Sequence, residues 1–389
     1  MSDRPRLLYV SPVAPSTTGH GLAMRAGSVL RALGRWYRVT LLIIPLYAPR
    51  RGPLAEETIA GVEQIIRLGE GKPLTPHERF DVVHVFRLAA LPHAQPWLRL
   101  AGRRHLDLDD VESVSRRRIA ALLRANGAAA AARREEYAAE SARRLEDDAL
   151  LRFDRIYVCS ETDRLALQGR ECAPAEIAVL PNSLPLPATT PAPSPAEGIR
   201  SLLFVGNLGY YPNEDAARYF CTEILPHIRD AAGRPVAVRI VGAGAGPGVR
   251  RLAVLPGVQV IGKVPDVAPW YRDAHVAIVP VRAGGGTRIK VLEAFAQRRP
   301  LVATTVGIEG IAAEDGRHAL IADKPESFAA ACLRLLRDPG LADRMSGEAF
   351  ALFSDAYSDT SLARIVANVA DARACADFRR PAPQRASTD

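Results

Sequence analysis

Residues 283–293, Ala-Gly-Gly-Gly-Thr-Arg-Ile-Lys-Val-Leu-Glu, bring three glycines, two cations and a carboxylate together. Gly284, Gly285 and Gly286 lack the Cβ that keeps a ligand off the backbone. A helix-like pattern follows directly, from about Thr287. A helix start presents unpaired N–H groups and the positive end of its dipole, both attractive to phosphate. Arg288 and Lys290 in the first turn strengthen that attraction. Glu293, one turn further, can accept two hydrogen bonds from a ribose diol. The set, Thr287 included, reads as a nucleoside-diphosphate site. The alternative is a flexible loop ahead of a surface helix.

Three other segments carry candidate chemistry. Thr17-Thr-Gly-His-Gly21 follows an expected strand and opens a helix. In an α/β sheet that location is the carboxyl end of the strands, where ligands bind. Gly19, His20, Gly21 and nearby Arg25 form a candidate acceptor or phosphate loop, and an ordinary strand-to-helix turn is the other reading. Asn207-Leu-Gly-Tyr-Tyr-Pro-Asn213 follows the first strand of the second half. Gly206 and Gly209 there allow a ligand close approach, Gly206 and Asn207 are expected to bind the donor, and Asn213 is expected to cap the next helix. Asp107-Leu-Asp109-Asp110-Val-Glu112 is acidic and follows another strand. Asp109 and Asp110 can cap a helix, bind an acceptor or, as Asp-x-Asp, hold a divalent metal; no metal is expected. His105 on that segment reads as structural.

The run Ile240-Val-Gly-Ala-Gly-Ala-Gly-Pro-Gly248 resembles a dinucleotide fingerprint, but its register fails. Counting six positions from Gly242 reaches Pro247, and from Gly244 reaches Val249. Gly242 and Gly244 therefore serve a close turn beside the donor site, and no nicotinamide or flavin cofactor is expected.

At 389 residues the chain exceeds one ordinary core. Its net charge of +8 is uneven: residues 1–50 hold seven Lys/Arg against one Asp/Glu, and residues 251–300 hold eight against three. Two basic blocks facing one cleft would draw in a polyanionic sugar nucleotide. With 6% aromatics and no base-reading motif, nucleic acid is not an expected partner. The five cysteines, Cys159, Cys172, Cys221, Cys332 and Cys375, contain no Cys-x-x-Cys. Reduced thiols in a cytoplasmic protein fit that pattern. The first residues read as charge followed by a strand, so no signal peptide is expected. Val39–Ala48, the longest apolar run, is too short to span a bilayer. Any membrane contact is expected to be peripheral, on the inner face of the cell membrane. The Arg116-Arg-Arg118 run reads either as a solvated face or as a contact for anionic lipid.

Short apolar runs alternate with longer helix-period segments, which predicts an α/β fold of parallel sheets flanked by helices. Strands are expected at 6–10, 39–44, 81–86, 105–108, 155–160 and 177–180, then at 202–205, 238–241, 258–261, 276–279 and 301–303, with a strand pair at 318–323. Helices are expected at 22–34, over 112–150 with a break near Gly127, at 213–229 and at 287–298. The Pro-rich stretch 184–198 marks a linker. It separates an N-terminal domain, 1–183, from a C-terminal domain, 199–355. An amphipathic helix within 356–375, with Leu362, Ile365, Val366 and Val369 at helical spacing, needs an apolar partner surface. Residues 376–389 read as a disordered tail.

The segments LFVGNLGYYPNEDAARYF, IVGAGAGP and GGGTRIKVLEAFAQRRPLVATTVGIEG, with acidic Leu106–Ser113, give the chain a resemblance over residues 6–370. It resembles the retaining glycosyltransferases of family 4, in particular the sugar transferases of bacterial exopolysaccharide clusters. The resemblance implies a GT-B fold: two Rossmann-like domains facing across a cleft, with the final helix crossing back to the first. It implies a nucleoside-diphosphate sugar donor and a glycan, lipid-linked or small-molecule acceptor. It also implies that Glu293 matches the second glutamate of the family's Glu-x7-Glu motif, which binds the ribose. The first glutamate falls at Gly285 and is absent, and Asn207 and Tyr210 stand where the family has an Arg/Lys phosphate clamp. Arg288 and Lys290, with Arg282, are the cations expected to stabilise the leaving diphosphate, and Asp109 or Asp110 to orient the acceptor. Two alternatives stay open: a nucleotide-sugar epimerase or hydrolase on the same fold, and a non-catalytic nucleotide-binding subunit.

Overall fold

The computed structural model describes residues 4–47, 54–69, 75, 77–170, 175–192, 200–233 and 235–369. Strands β1 (Arg6–Ser11), β2 (Arg38–Ile43), β3 (Val62–Arg67), β4 (Val82–Phe86), β5 (Arg103–Asp109), β6 (Arg155–Val158) and β7 (Glu176–Val179) form one sheet. Strands β8 (Arg200–Val205), β9 (Val236–Val241), β10 (Val258–Gly262), β11 (Val276–Val279), β12 (Leu301–Ala303) and β13 (Leu320–Ile321) form a second. The strand orders are β3-β2-β1-β4-β5-β6-β7 and β10-β9-β8-β11-β12-β13. The pairings run parallel, for example Leu7 opposite Val39 and Val82, and Leu202 opposite Val238 and Val276.

Parallel strands covered by helices on both faces read as unbroken apolar runs. Leu7, Leu8, Tyr9 and Val10 on β1 are fully buried, and Leu202, Leu203 and Phe204 on β8 nearly so. Each large side chain removed from water contributes about 1.5–3 kcal/mol. In both sheets the order reverses beside the first strand, between β1 and β4 and between β8 and β11. Loops at the carboxyl ends of those strands diverge there and open a crevice. The candidate loops leave from these ends: 12–20 after β1, Arg87 after β4, 206–210 after β8 and 280–288 after β11.

Several expected elements take a different form. β3 was not foreseen; its sequence VEQIIR is an edge strand with exposed Glu63, Gln64 and Ile65, so its pattern does not alternate. The helix expected at 213–229 begins at Tyr211 and passes through a π-helical turn at Phe220–Ile224 before continuing to Ala232. Pro226 explains the turn, because it has no N–H for the α-helical ladder. In place of a strand pair at 318–323 there is the single strand β13. The long helical region divides into Glu112–Ala125 and Ala129–Arg152, with Gly127 at φ 78° between them.

The chain crosses between the sheets twice, and the crossings pair. Leu184 forms a parallel bridge with Ser358, its N–H donating to Tyr357 O at 3.1 Å. The helix Asp359–Val369 then packs Leu362 and Val366 into the core beneath the helix Gly21–Gly34. Ser183 Oγ donates to Asp359 Oδ1 at 2.9 Å, and Arg31 pairs with the same carboxylate. Residues 193–198 of the expected linker, residues 370–375 beyond the final helix and the expected tail lie outside the described residues. Among the described residues no helix is long and apolar enough to cross a membrane.

Candidate functional site

On the C-terminal side the floor of the site is made by glycine backbones approaching one another. A Cβ on Gly242, which has φ 151°, would lie 1.7 Å from Gly206 O. Leu208 N–H donates to Ala243 O at 2.7 Å, and a Cβ on Gly244 would lie 2.8 Å from Gly209 N. Gly242 and Gly244 thus shape the 206–209 loop from behind. Lys290 projects onto this floor: a Cβ on Gly206 would stand 3.0 Å from its Nζ, and the Phe204 ring lies 4.6 Å beneath it. Lys290 Nζ donates to Asn213 Oδ1, whose Nδ2 in turn donates to Asn207 O at 2.9 Å. Burial, with Arg288 nearby, holds the Lys290 ammonium down to about 7.

One turn along the helix Ile289–Ala296, Glu293 Oε2 accepts from Tyr271 Oη at 3.1 Å; burial pushes its carboxyl up to about 7. Arg288 caps the helix from outside, and its Nη1 donates to Gly285 O and, at 2.7 Å, to Gly286 O. Its Nη2 is buried and has no acceptor. A buried guanidinium N–H left unpaired costs free energy that an acceptor atom from a ligand would relieve.

The N-terminal side is acidic but counterbalanced. Arg87 pairs with Asp110 and lies 3.7 Å from Asp109 Oδ2 and 3.6 Å from Glu112 Oε2. Burial pushes the Asp109 carboxyl up to about 6. Both Arg87 and Asp109 hold φ at 68°, a positive value rare outside glycine.

The two sides interlock. A Cβ on Gly285 would lie 2.6 Å from Asp110 Oδ2, one on Gly286 3.2 Å from Cys159 Sγ, and one on Gly21 3.2 Å from Ile289 Cγ1. Arg118 donates to Gly284 O at 3.2 Å and pairs with Glu309 through Nη1 and Nη2. Asn126 Nδ2 donates to Tyr211 Oη and Asp215 Oδ1, each at 2.8 Å. The glycine turn after β1 and the three-glycine loop after β11, far apart in sequence, therefore border one cleft.

Five sequence expectations need correction. Arg25 is not a ligand-facing cation: it is 1% exposed and donates to Asp107 Oδ1 at 2.7 Å, to Leu180 O at 2.9 Å and to Asn182 Oδ1 at 3.2 Å. Breaking such a buried pair costs about 3–5 kcal/mol, so it braces the fold. Arg282 is held by Asp215, at 2.9 and 2.7 Å, and stacks over Tyr219. Thr287 spends its groups between domains: Asn182 Nδ2 donates to its Oγ1 at 2.7 Å, and its N–H donates to Cys159 Sγ at 3.2 Å. Asn207 closes its own turn, accepting from Gly209 N–H at 3.1 Å. Asn213 does not cap a helix; it lies inside the helix begun at Tyr211 and holds Lys290.

His20, expected as a polar group of the first loop, caps the helix Gly21–Gly34 through Nδ1, and Gly19 ahead of it holds φ 105°. Arg116 pairs with Glu112 and Glu135, and Arg117 lies 3.7 Å from Glu140. With Arg118 bound to Glu309, each arginine of this run faces a carboxylate. Among the described residues no group of three or more His, Cys, Asp or Glu is arranged to hold a metal. Sequence reasoning missed Arg87, Ser115, Asn126, Tyr271, Asp215 and Glu309; Asp215 and Glu309 lie within the segments that carry the resemblance, but no local pattern there signals their partners.

The C-terminal half of this geometry decides the comparison. Residues 199–338 match the family Glycosyl transferases group 1. That span contains Gly206, Asn213, Tyr271, Arg288, Lys290 and Glu293. Sucrose-phosphate synthase from Thermosynechococcus elongatus is similar with a TM-score of 0.68 at 15% identity, covering 94% of this chain and 98% of that one. HepE from Anabaena, solved with UDP and glucose, gives 0.67 at 13% identity over 95% and 100%. A glycosyltransferase from Rickettsia africae gives 0.66 at 11% over 98% and 100%. At these identities the likeness carries the fold, which is GT-B: two Rossmann-like parallel-sheet domains. No curated protein matches the chain.

Proposed function

We propose that the protein is a retaining glycosyltransferase that moves a sugar from a nucleoside-diphosphate donor to a glycan, lipid-linked or small-molecule acceptor. The observation that carries this reading is the buried, acceptor-less Nη2 of Arg288 beside the three-glycine loop. It lies within the segment that matches the glycosyltransferase family. The neighbouring HepE is solved with UDP and with UDP-glucose, in keeping with a nucleotide-sugar donor.

Negative charge grows on the diphosphate as the glycosidic bond breaks. Arg288, Lys290 and the Gly284–Gly286 amides stabilise it, an effect that is strong where water is excluded. Lys290 stands where the family's phosphate clamp is missing from the sequence: it reaches the Gly206 loop from the opposite helix. When an anion replaces Asn213 as its partner, the ammonium recovers its proton and full charge. Glu293, steadied by Tyr271, takes the ribose diol. Because protein cations meet the diphosphate, the reaction runs without a metal, and chelation with EDTA leaves the rate unchanged. Asp109 lies on the facing side with a carboxyl near 6 and orients the acceptor hydroxyl. Retention follows from the family resemblance. The reaction takes place on the cytoplasmic side, with the acceptor free or at the inner membrane face.

Product analysis tests the reading. Purified protein is incubated with a donor it binds, with and without a candidate acceptor, and the anomeric proton of the product is followed by NMR. A new glycoside with the donor's anomeric configuration, formed only with acceptor, supports it. Free sugar or an epimerised nucleotide sugar formed equally without acceptor contradicts it.

A further inference from the structure

We propose that Asp110 binds a hydroxyl of the transferred sugar, so that the domain facing the nucleotide cradle recognises the donor's sugar. The inference rests on the transferase reading above.

Gly285 is absent from the residues with positive φ, so backbone conformation does not require glycine there. Space does: a Cβ would lie 2.6 Å from Asp110 Oδ2 and 2.9 Å from Ser115 Cβ. Arg87 holds Asp110 by Oδ1, and among the described residues no hydrogen bond reaches Oδ2. One residue back, a Cβ on Gly284 would lie 3.3 Å from Arg288 Nη2, the buried donor without an acceptor, and 3.6 Å from Tyr210 Oη. A carboxylate oxygen with no donor and a guanidinium N–H with no acceptor thus flank adjacent glycines, and they do not satisfy each other. A ligand that suits both carries an anionic group at one end and a hydroxyl at the other. A sugar joined to a phosphate has that form. A bare nucleoside diphosphate fits only the Arg288 end.

The test separates the sugar from the nucleotide. Dissociation constants are measured by calorimetry for UDP and UDP-glucose, GDP and GDP-mannose, ADP and ADP-glucose, and dTDP and dTDP-rhamnose. The pair bound most tightly by the wild type is carried forward to Asp110→Ala and Asp110→Asn. The expected result is a diphosphate constant within about twofold of wild type and a nucleotide-sugar constant raised about tenfold or more, which corresponds to about 1.4 kcal/mol. Gly285→Ala should give the same split by collision with Asp110. Either Asp110 variant binding both ligands as the wild type does, or losing both equally, overturns the inference and leaves the transferase reading standing. A folded wild type that binds none of the eight ligands overturns the transferase reading, and this inference with it.

Discussion

Arg87 and Asp109 sit at the carboxyl ends of neighbouring strands, share a φ of 68° and face each other at 3.7 Å. Backbone at positive φ in non-glycine residues costs roughly 1–3 kcal/mol each and persists only where the surroundings fix it. Here Arg87 N–H donates to Asp107 O at 2.8 Å, Arg87 Nη1 to Leu108 O at 2.6 Å, and Asp109 N–H to Asp107 Oδ1 at 2.9 Å. The strain holds these two charged side chains together where the strands end, and if Asp109 orients the acceptor, stability and activity should oppose each other at this point.

Asp109→Gly removes both the strained Cβ and a carboxylate that burial disfavours. Arg25 keeps Asp107, and Arg87 keeps Asp110 and Glu112. The variant is expected to gain about 1 kcal/mol in urea unfolding while transfer falls about tenfold or more. A variant less stable than wild type would refute the strain assignment.

Lys290 and Glu293 both titrate near 7, in opposite senses. Above that pH Lys290 loses its charge, and below it Glu293 loses its own, so diphosphate affinity should peak near neutrality and fall on both sides. Because a bound phosphate restores the ammonium, binding at pH 8 takes up a proton, measurable by calorimetry in two buffers of different ionisation enthalpy. For stability, the raised Glu293 value means a contribution present below about 4.5 and lost as pH rises through about 7. Glu293→Gln should therefore stabilise the ligand-free protein at pH 8 by about 1–3 kcal/mol and leave it unchanged at pH 4.

The glycine-rich run after β9 separates cleanly by space. Gly242→Ala puts a methyl 1.7 Å from Gly206 O and should abolish soluble, folded protein. Gly246→Ala meets nothing within 4 Å at a helix cap with φ −72° and ψ 172°. It should be neutral or raise stability by about 0.4–1 kcal/mol. Thermal midpoints of the two variants check this.

Arg118 joins Glu309 and the Gly284 carbonyl across the cleft. Arg118→Ala should leave diphosphate affinity within about threefold and lower turnover about tenfold or more, because closure and not nucleotide contact is lost. A steady-state comparison of kcat with the diphosphate dissociation constant decides it; equal losses in both would refute the latch.

The strands of both sheet centres were legible because parallel strands covered on both faces are continuous apolar runs, as in Leu7–Val10 and Val276–Val279. Edge strand β3 was not, because one exposed face and a mixed pattern carry no period. Within the site, glycines marked the loops, since close backbone approach leaves a trace in sequence. Cations were harder to read. Arg25, Arg282 and the hydroxyl of Thr287 lie in or beside site motifs, yet their partners Asp107, Asp215 and Asn182 lie 82, 67 and 105 positions away. Nothing local distinguishes a cation that waits for phosphate from one that braces the fold. Asn213 shows the converse: a residue read as a cap is the partner that holds Lys290.

The central claim is that Arg288, Lys290 and Glu293 form a nucleoside-diphosphate site. The most direct test is the thermal midpoint of the purified protein with UDP, GDP, ADP, dTDP and CMP, repeated for Lys290→Ala and Glu293→Ala. A ligand at about 100 times its dissociation constant stabilises by about 2.7 kcal/mol, well within detection. A selective upward shift with one diphosphate is expected in the wild type, reduced or lost in both variants. No shift with any nucleotide in folded wild type, or an undiminished shift in both variants, would contradict it.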